Sequence, residues 1–353
     1  MGGTMKKINK VFFLLISKKK TLKQKGNLAL AYIQFIARSS YLLSYPVKMR
    51  LDPSNYCNIH CELCPTGTKA EGRTQGFMSF STFKKIVDEC GAYLWEIGLF
   101  NWGEPLLNKE IFKMVKYAKG RKIDVNISTN LNYFNDDICV KLIESGLNKL
   151  IISLHGASQE SVTRYQKGCN FQSVIKNMEK IVSMRERLES KTPFIQWRFL
   201  VNRYNENEIE KAMELSKNLK VDKLELGQFR CDMGKEILLT KEEQHKNVEH
   251  WLPKNKKISR HVYPKVEGKE VKNICKLMWF ESNIHPNGSI SPCCAVWDEQ
   301  FDFGNINVSS FRKIWNGEKY KNARMISSRN RVAVEREKGH VCNICIKNGG
   351  LFT

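Results

Sequence analysis

From Val47 onward, apolar residues recur along the chain in two alternating rhythms, a period of two and a period near that of a helix. Side chains of a strand point alternately to its two faces, whereas a helix brings every third or fourth residue to one side. Val47–Leu51, Leu94–Phe100, Lys122–Ser128, Lys149–Leu154, Phe194–Val201 and Lys223–Leu226 therefore predict six strands. In the third, Ile123, Val125 and Ile127 alternate with polar residues. Ser79–Cys90 predicts a helix capped by Ser79 or Ser81, with Phe83, Ile86, Val87 and Cys90 on one side. Lys109–Ala118, Asp136–Glu144 (ended by Gly146) and Glu206–Leu219 predict further helices. Phe171, Val174, Ile175, Met178 and Ile181 mark a longer one. Strands alternating with helices imply right-handed βαβ units and a parallel sheet, open or closed into a barrel. Chemistry in such sheets collects at the C-terminal ends of the strands.

The composition changes that picture little. With 42% apolar and 27% charged residues in 353, the chain can bury a core, which excludes disorder, collagen and a disulfide miniprotein. No run approaches the roughly 18 apolar residues of a membrane span. Charge says more: 58 Lys and Arg against 36 Asp and Glu leave a net +22, which suits a polyanion, an anionic membrane or an acidic substrate. Residues 1–51 hold eleven of those cations and no acid, Asp52 being the first carboxylate. Val11–Ile16 and Leu28–Ile36 are short apolar stretches among lysines such as Lys18, Lys19 and Lys20. Six apolar residues fall short of the roughly 7–15 of a signal-peptide core. Two expectations stay open for this prefix: an amphipathic segment lying on an anionic membrane, or a basic arm packing its apolar stripe on the main domain.

Twelve cysteines without a signal peptide point to a reducing, cytoplasmic compartment, where cysteine clusters mean metal or redox chemistry. Cys57-x3-Cys61-x2-Cys64 directly follows the first strand; the second group is Cys275, Cys293 and Cys342-x2-Cys345. Three thiolates in one loop can wrap a [4Fe–4S] cube and leave its fourth iron open. Zinc prefers a closed set of four, although His60 lies inside the loop. Cys90 and Cys139 read as small buried hydrophobes. Cys294 competes with Cys293, while Cys169 and Cys231 fall in loops.

Cys57-Asn-Ile-His-Cys61-Glu-Leu-Cys64 resembles the CxxxCxxC signature of the radical S-adenosylmethionine (radical SAM) superfamily, with Leu63 replacing a frequent aromatic residue. With the strand order, the resemblance covers about residues 46–230 and implies a partial (β/α)6 barrel. It also implies an open iron that chelates S-adenosylmethionine, whose reductive cleavage gives a 5′-deoxyadenosyl radical that abstracts hydrogen from a substrate. Asn101-Trp102-Gly103-Glu104-Pro105 resembles the family's GGEP segment, whose backbone holds the methionyl ammonium; Trp102 replaces the first glycine, leaving Gly103, Glu104 and Pro105 as the carry-over. Ser128-Thr129-Asn130 ends the third strand, and Ser128 and Asn130 are taken as cofactor contacts. Ser153-Leu154-His155-Gly156 resembles the SLDG segment, whose serine contacts the methionine or ribose portion; His155 stands where Asp is common and is not carried over. The family's carboxylate-binding Arg falls in register with Gln166, with Arg164 two residues away, so that role stays open.

Cys275-x12-Gly288-x4-Cys293 resembles the opening of the SPASM domain, and Phe303-Gly304-Asn305-Ile306 and Ile314-Trp315-Asn316-Gly317 resemble segments between its halves. Cys342-x2-Cys345 would begin the second half, and no cysteine follows in the eight residues beyond. The resemblance therefore implies one auxiliary [4Fe–4S] cluster on Cys275, Cys293, Cys342 and Cys345, as in the shorter twitch domain of a dehydrogenase that oxidises an aminocyclitol. The spacing alone also permits structural zinc.

The expected architecture is α/β, a partial (β/α)6 barrel of parallel strands with a small C-terminal cysteine-rich auxiliary-cluster domain. Its expected parts are a basic amphipathic segment 1–45, a radical SAM core 46–230, a bridge 231–274 and the auxiliary domain 275–353. The expected reaction is oxidation of a sugar, cyclitol or lipid-linked intermediate, with a flavodoxin- or ferredoxin-type electron donor. Modification of a ribosomally made peptide is the alternative, although no winged-helix leader-binding domain is evident in the prefix. Redox-neutral epimerisation is another, with Cys231 as hydrogen donor. A cluster- or zinc-stiffened nucleic-acid binder is disfavoured, because the basic prefix lacks interleaved stacking aromatics and base-reading motifs.

Overall fold

The computed structural model describes residues 19–228, 241–255, 274–328, 335–336 and 338–347. The six expected strands form there, together with two-residue strands in the cluster loop and after the fourth of them. In chain order they are β1 (Lys48–Leu51), β2 (His60–Cys61), β3 (Glu96–Leu99), β4 (Asp124–Thr129), β5 (Lys149–Ser153), β6 (Gln166–Lys167), β7 (Phe194–Val201) and β8 (Lys223–Gln228). β1, β3, β4, β5, β7 and β8 lie side by side in that order, every pair parallel, as successive βαβ crossovers require. The crossovers contain the expected helices Phe80–Cys90, Ile111–Lys119, Asp136–Glu144, Phe171–Arg187 and Ile209–Asn218, and a short one at Gln159–Tyr165. Ser79, rather than Ser81, caps the first by accepting the Thr82 N–H.

The two faces of this sheet differ. Met49, Leu51, Ile97, Leu99, Val125, Ile127, Leu150, Ile152, Trp197 and Phe199 are buried in one core with helix residues such as Phe83, Met114, Val174 and Met178. The alternate residues Arg50, Asn126, Ser128, Ser153, Arg198 and Glu225 are half-buried and polar. Parallel sheets usually bury apolar side chains on both faces. Here the second face is a polar wall, half open to solvent.

The cysteine-rich region extends this sheet. β9 (Glu281–Ile284) pairs parallel with β1, and β10 (Ser289–Ser291) and β11 (Gly304–Asn305) follow antiparallel, so that among the described residues this sheet has nine strands, with β2 and β6 paired apart from it.

Of the two expectations for the prefix, residues 19–45 follow the packed arm. Helix Leu22–Ile36 starts with a Thr21–Gln24 capping box and lays Leu28 and Ala31 on Val47 and Trp95. Lys20 Nζ reaches Trp95 O (2.7 Å) and the Asp124 carboxylate (2.9 Å), and Gln24 Nε2 donates to Leu94 O (2.6 Å). The opposite stripe, Leu22, Ile33 and Ile36, is exposed. Val11–Ile16 and Cys231 lie outside the described residues. No described helix is long and apolar enough to cross a membrane.

Candidate active site

The loop after β1 carries the first three thiols. β2 pairs antiparallel with β6, fastening His60 and Cys61 to Lys167 and Gln166. Cys64 N donates to Cys61 O (3.2 Å) and Thr68 N to Cys64 O (2.9 Å), so the chain turns tightly round the pair. Gly67 lies against Cys61, where an added Cβ would stand 2.4 Å from its carbonyl oxygen. Burial pushes the Cys57 thiol up to about 12, Cys61 well above its ordinary value and Cys64 upward, and the Cys61 thiol is also raised by Cys64 and Cys57. Three desolvated sulfurs in mutual electrostatic reach give up their protons readily when a cationic group takes their place. Beside them opens a cleft of about 590 Å³ lined by Tyr56, Cys57, His60, Lys69 and Arg73, among others.

The 102–105 turn leans on the same loop. Gly103 has φ +85°, and a Cβ there would lie 2.5 Å from Ser54 O and 2.7 Å from Tyr56 O. Glu104 N donates to Tyr56 O (2.7 Å). The Glu104 carboxylate, buried and pushed up to about 7 by that burial, accepts Thr129 Oγ1 (2.7 Å), Asn130 N (2.8 Å) and Leu106 N (3.0 Å). Its side chain thus holds the turn to the end of β4, and Pro105 opens a short 3-10 helix behind it. Asn130 Nδ2 donates to Asn58 Oδ1 (2.9 Å) and lies 3.6 Å from Cys57 Sγ.

Ser128 Oγ and Ser153 Oγ meet at 3.1 Å on that polar wall. Gln166 is buried; it accepts His155 N (2.7 Å) and donates to Ser153 O (2.9 Å), fixing the end of β5. Arg164 is exposed, with its guanidinium 5.8 Å from the Tyr204 ring. The structure therefore does not bring Arg164 to the wall beside Ser153. Arg198 is there instead, in register with Ser153 and bonded to Glu225 (3.0 Å). Arg50 stands on the same wall, over the Phe100 ring at 5.8 Å. Arg50, Arg198 and Glu225 were not singled out from the sequence; alternation puts them on one strand face without telling that this face is the polar one.

The second cysteine group converges. Cys293, Cys342 and Cys345 pack round Val296 and Val341. Burial pushes Cys275 to about 11 and Cys293 and Cys342 well up; Cys345 and Cys275 add to the rise at both Cys293 and Cys342. Cys294 is buried next to Cys293. Cys90 and Cys139 are wholly buried in the core, as expected of small hydrophobes. Cys169 is buried too, and Asn132 Nδ2 lies 3.2 Å from its sulfur.

Among the described residues, no three His, Cys, Asp or Glu side chains gather as ligands of one metal ion. The fit to larger groups rests on what is present. Two buried donors of the 101–105 segment, Asn101 Nδ2 and Trp102 Nε1, have no partner among the described residues. Three desolvated thiols beside an open cleft fit a cluster held on one side only, with room for a further ligand. Four partly buried thiols in one neighbourhood fit a closed cluster.

Residues 51–216 match the radical SAM superfamily, and residues 275–346 match SPASM, an iron–sulfur cluster-binding domain. An AdoMet-dependent heme synthase of Methanosarcina barkeri (strain Fusaro / DSM 804) is 26% identical over 163 residues, 46% of this chain and 45% of that protein. A probable GTP 3′,8-cyclase of Saccharolobus islandicus (strain M.14.25 / Kamchatka #1) is 24% identical over 210 residues, 58% of this chain and 64% of that protein. The chain thus spans less than two thirds of the length of either relative. The crystal structure of Streptococcus suis SuiB bound to S-adenosylmethionine superposes with a TM-score of 0.60 at 16% identity, covering 84% of this chain and 71% of that one. SuiB bound to its precursor peptide SuiA gives 0.59 at 14%, covering 84% and 70%. At such identities the likeness shows the fold alone.

Proposed function

The chain belongs to the radical SAM superfamily and carries a SPASM domain, and we propose that it oxidises a polar sugar, cyclitol or lipid-linked substrate bound on the polar sheet face. Its cofactors are a [4Fe–4S] cluster that binds S-adenosylmethionine and an auxiliary iron–sulfur cluster. The observation that carries the oxidative reading is the convergence of Cys275, Cys293, Cys342 and Cys345, because a cube with four thiolates has no iron left for substrate. When bound, the cofactors supply the hydrogen-abstracting radical and a nearby electron acceptor.

The protein's own side chains bind, orient and exclude water. Cys57, Cys61 and Cys64 would hold the first cluster, with Asn130 hydrogen-bonding beside Cys57. Gly103 and Pro105 would shape the seat of the methionyl amine, with Glu104 tying that seat to β4. Ser128 and Ser153 would meet the methionine or ribose portion, and Arg198 is better placed than Arg164 for the carboxylate. Arg50 and Glu225 leave opposite charges on the wall for a polar substrate. Exposed His60 and Lys69, next to the cluster loop, suit an acidic flavodoxin- or ferredoxin-type donor. The basic prefix and its outward apolar stripe support a peripheral place on an anionic membrane.

A second reading, modification of a ribosomally made peptide, is favoured by the net charge of +22, which suits an acidic leader. A third, epimerisation with Cys231 as hydrogen donor, has its key residue outside the described part. Anaerobic reconstitution tests the assignment: about eight irons per chain are expected, and Cys57→Ala, Cys61→Ala and Cys64→Ala together should leave about four and end cleavage of S-adenosylmethionine. Cleavage surviving in the triple variant would refute it. With a substrate in hand, a product two hydrogens lighter supports oxidation. Solvent deuterium at the attacked carbon, lost in Cys231→Ala, supports epimerisation.

A further inference from the structure

A run of buried hydrogen bonds joins the two cysteine groups, and nothing in the proposed chemistry uses it. Asp52 is the first residue beyond β1, and its Oδ1 accepts the Trp102 N–H at 2.9 Å. Its Oδ2 lies 3.0 Å from His285 Nδ1, with both side chains wholly buried. His285 follows β9, on the auxiliary side. Its Nε2 is 3.2 Å from Asn283 Nδ2, which also donates to Ser291 Oγ at 3.0 Å. The Ser291 hydroxyl donates to the carbonyl of Cys293 at 3.1 Å. The chain of bonds therefore starts on a peptide N–H of the 102–105 turn and ends on the backbone of an auxiliary cluster ligand.

The donors and acceptors along it agree with one another. Asn283 has two amide hydrogens, one for Ser291 Oγ and one for His285 Nε2, so that nitrogen accepts. The ring hydrogen then sits on Nδ1 and goes to Asp52, which also takes the Trp102 N–H. This tautomer is assigned from the partners. Apart from Asn283 Oδ1, which has no partner among the described residues, each of these polar atoms is paired, and loss of one member strands its neighbours in a buried site. Strand pairing alone does not require it, since β1 and β9 already join through their backbones.

We infer that Asp52 and His285 are a positioning pair through which the auxiliary domain holds the S-adenosylmethionine-binding turn in place. This rests on the radical SAM reading of that turn. The turn has to be held closely, because the ligand approaches its backbone and a displacement of about 1 Å loosens such a site. Because coupling is reciprocal, disturbance at the auxiliary loop should reach the cofactor turn.

The test uses the full chain, reconstituted anaerobically and reduced, with S-adenosylmethionine as the probe. Its binding is titrated through the change it causes in the electron paramagnetic resonance spectrum of the first cluster, alongside iron content. His285→Phe removes the hydrogen bonds while still filling the space; affinity should fall about tenfold with iron unchanged. His285→Asn, which keeps a donor where Nδ1 stands, should recover most of the loss. Wild-type affinity in a fully loaded His285→Phe protein overturns the inference. If that variant loses iron, Ser291→Ala breaks the same chain at its far end without added bulk, and unchanged affinity there overturns it equally. No spectral change in the unmodified protein would count against the cofactor reading instead.

Discussion

Gly103 is held between two backbones, and its position makes the sharpest single-residue prediction. Its φ of +85° is disfavoured for residues with a Cβ, and that Cβ would stand within 2.7 Å of Ser54 O, Asn55 Cα and Tyr56 O. Those atoms belong to the stretch that leads into Cys57, so the turn can make room only by moving the cluster loop. Gly103→Ala should leave the auxiliary cluster in place and drop iron from about eight towards about four per chain, as measured by iron analysis. A variant that keeps all its iron and cleaves S-adenosylmethionine normally would show that the turn yields. Trp102 departs from the family's glycine for a visible reason. Its ring meets Trp297 edge-on at 5.8 Å, filling the seam between the barrel and the auxiliary region. The grouping of the cysteines was legible because three thiols in eight residues have few other uses. Asp52 and His285 were not, since a pair 233 positions apart leaves no local signal.

At the scale of elements, the six barrel strands were legible because each alternates faces or runs apolar for four or more residues. β9, β10 and β11 have four, three and two residues, and β9 is placed by its pairing with β1, which no local pattern announces. The junction of β5 with β7 carries its own prediction. His155 is buried just beyond β5; its Nδ1 accepts Leu200 N (3.2 Å) from β7, and its carbonyl accepts Asn205 Nδ2 (2.9 Å). Burial pushes the ring down to about 3, with nearby Arg198 adding to the fall. The folded state therefore excludes a proton that the unfolded chain binds below about 6.5. The stability due to the neutral ring is complete above that pH and is lost as pH falls towards 3, by up to about 1.4 kcal/mol for each unit. Denaturant unfolding of wild type and His155→Gln between pH 7 and pH 4.5 should show a steeper acid loss in wild type. Parallel slopes would place the proton-sensitive group elsewhere.

At the scale of the whole molecule, the net +22 is unevenly spread, and the N-terminal helix shows what that arrangement suits. Its inner side, through Gln24, Leu28 and Ala31, is already taken by the sheet, while Leu22, Ile33 and Ile36 are 86%, 63% and 76% exposed. Eleven, fourteen and three positions separate these residues, so at about 3.6 residues per turn they share one outward stripe. Lys23 and Lys25 follow its first residue, with Arg38 past its end. An apolar stripe bordered by cations suits the boundary of an anionic bilayer, where each lysine adds roughly 1 kcal/mol and the buried stripe adds more. A cut at residue 40 would test this poorly, because it strips Lys20, Gln24 and Leu28 from the core they cover. Two gentler changes separate membrane binding from folding: deletion of residues 1–18, and the outward pair Ile33→Ser with Ile36→Ser. Each should weaken flotation with phosphatidylglycerol vesicles at moderate salt, and together they should abolish it. The melting temperature should stay within a few degrees, since both variants keep Gln24, Leu28 and Ala31. Equal flotation of the combined variant and the wild type, or none by the wild type, would leave the helix as a structural strap.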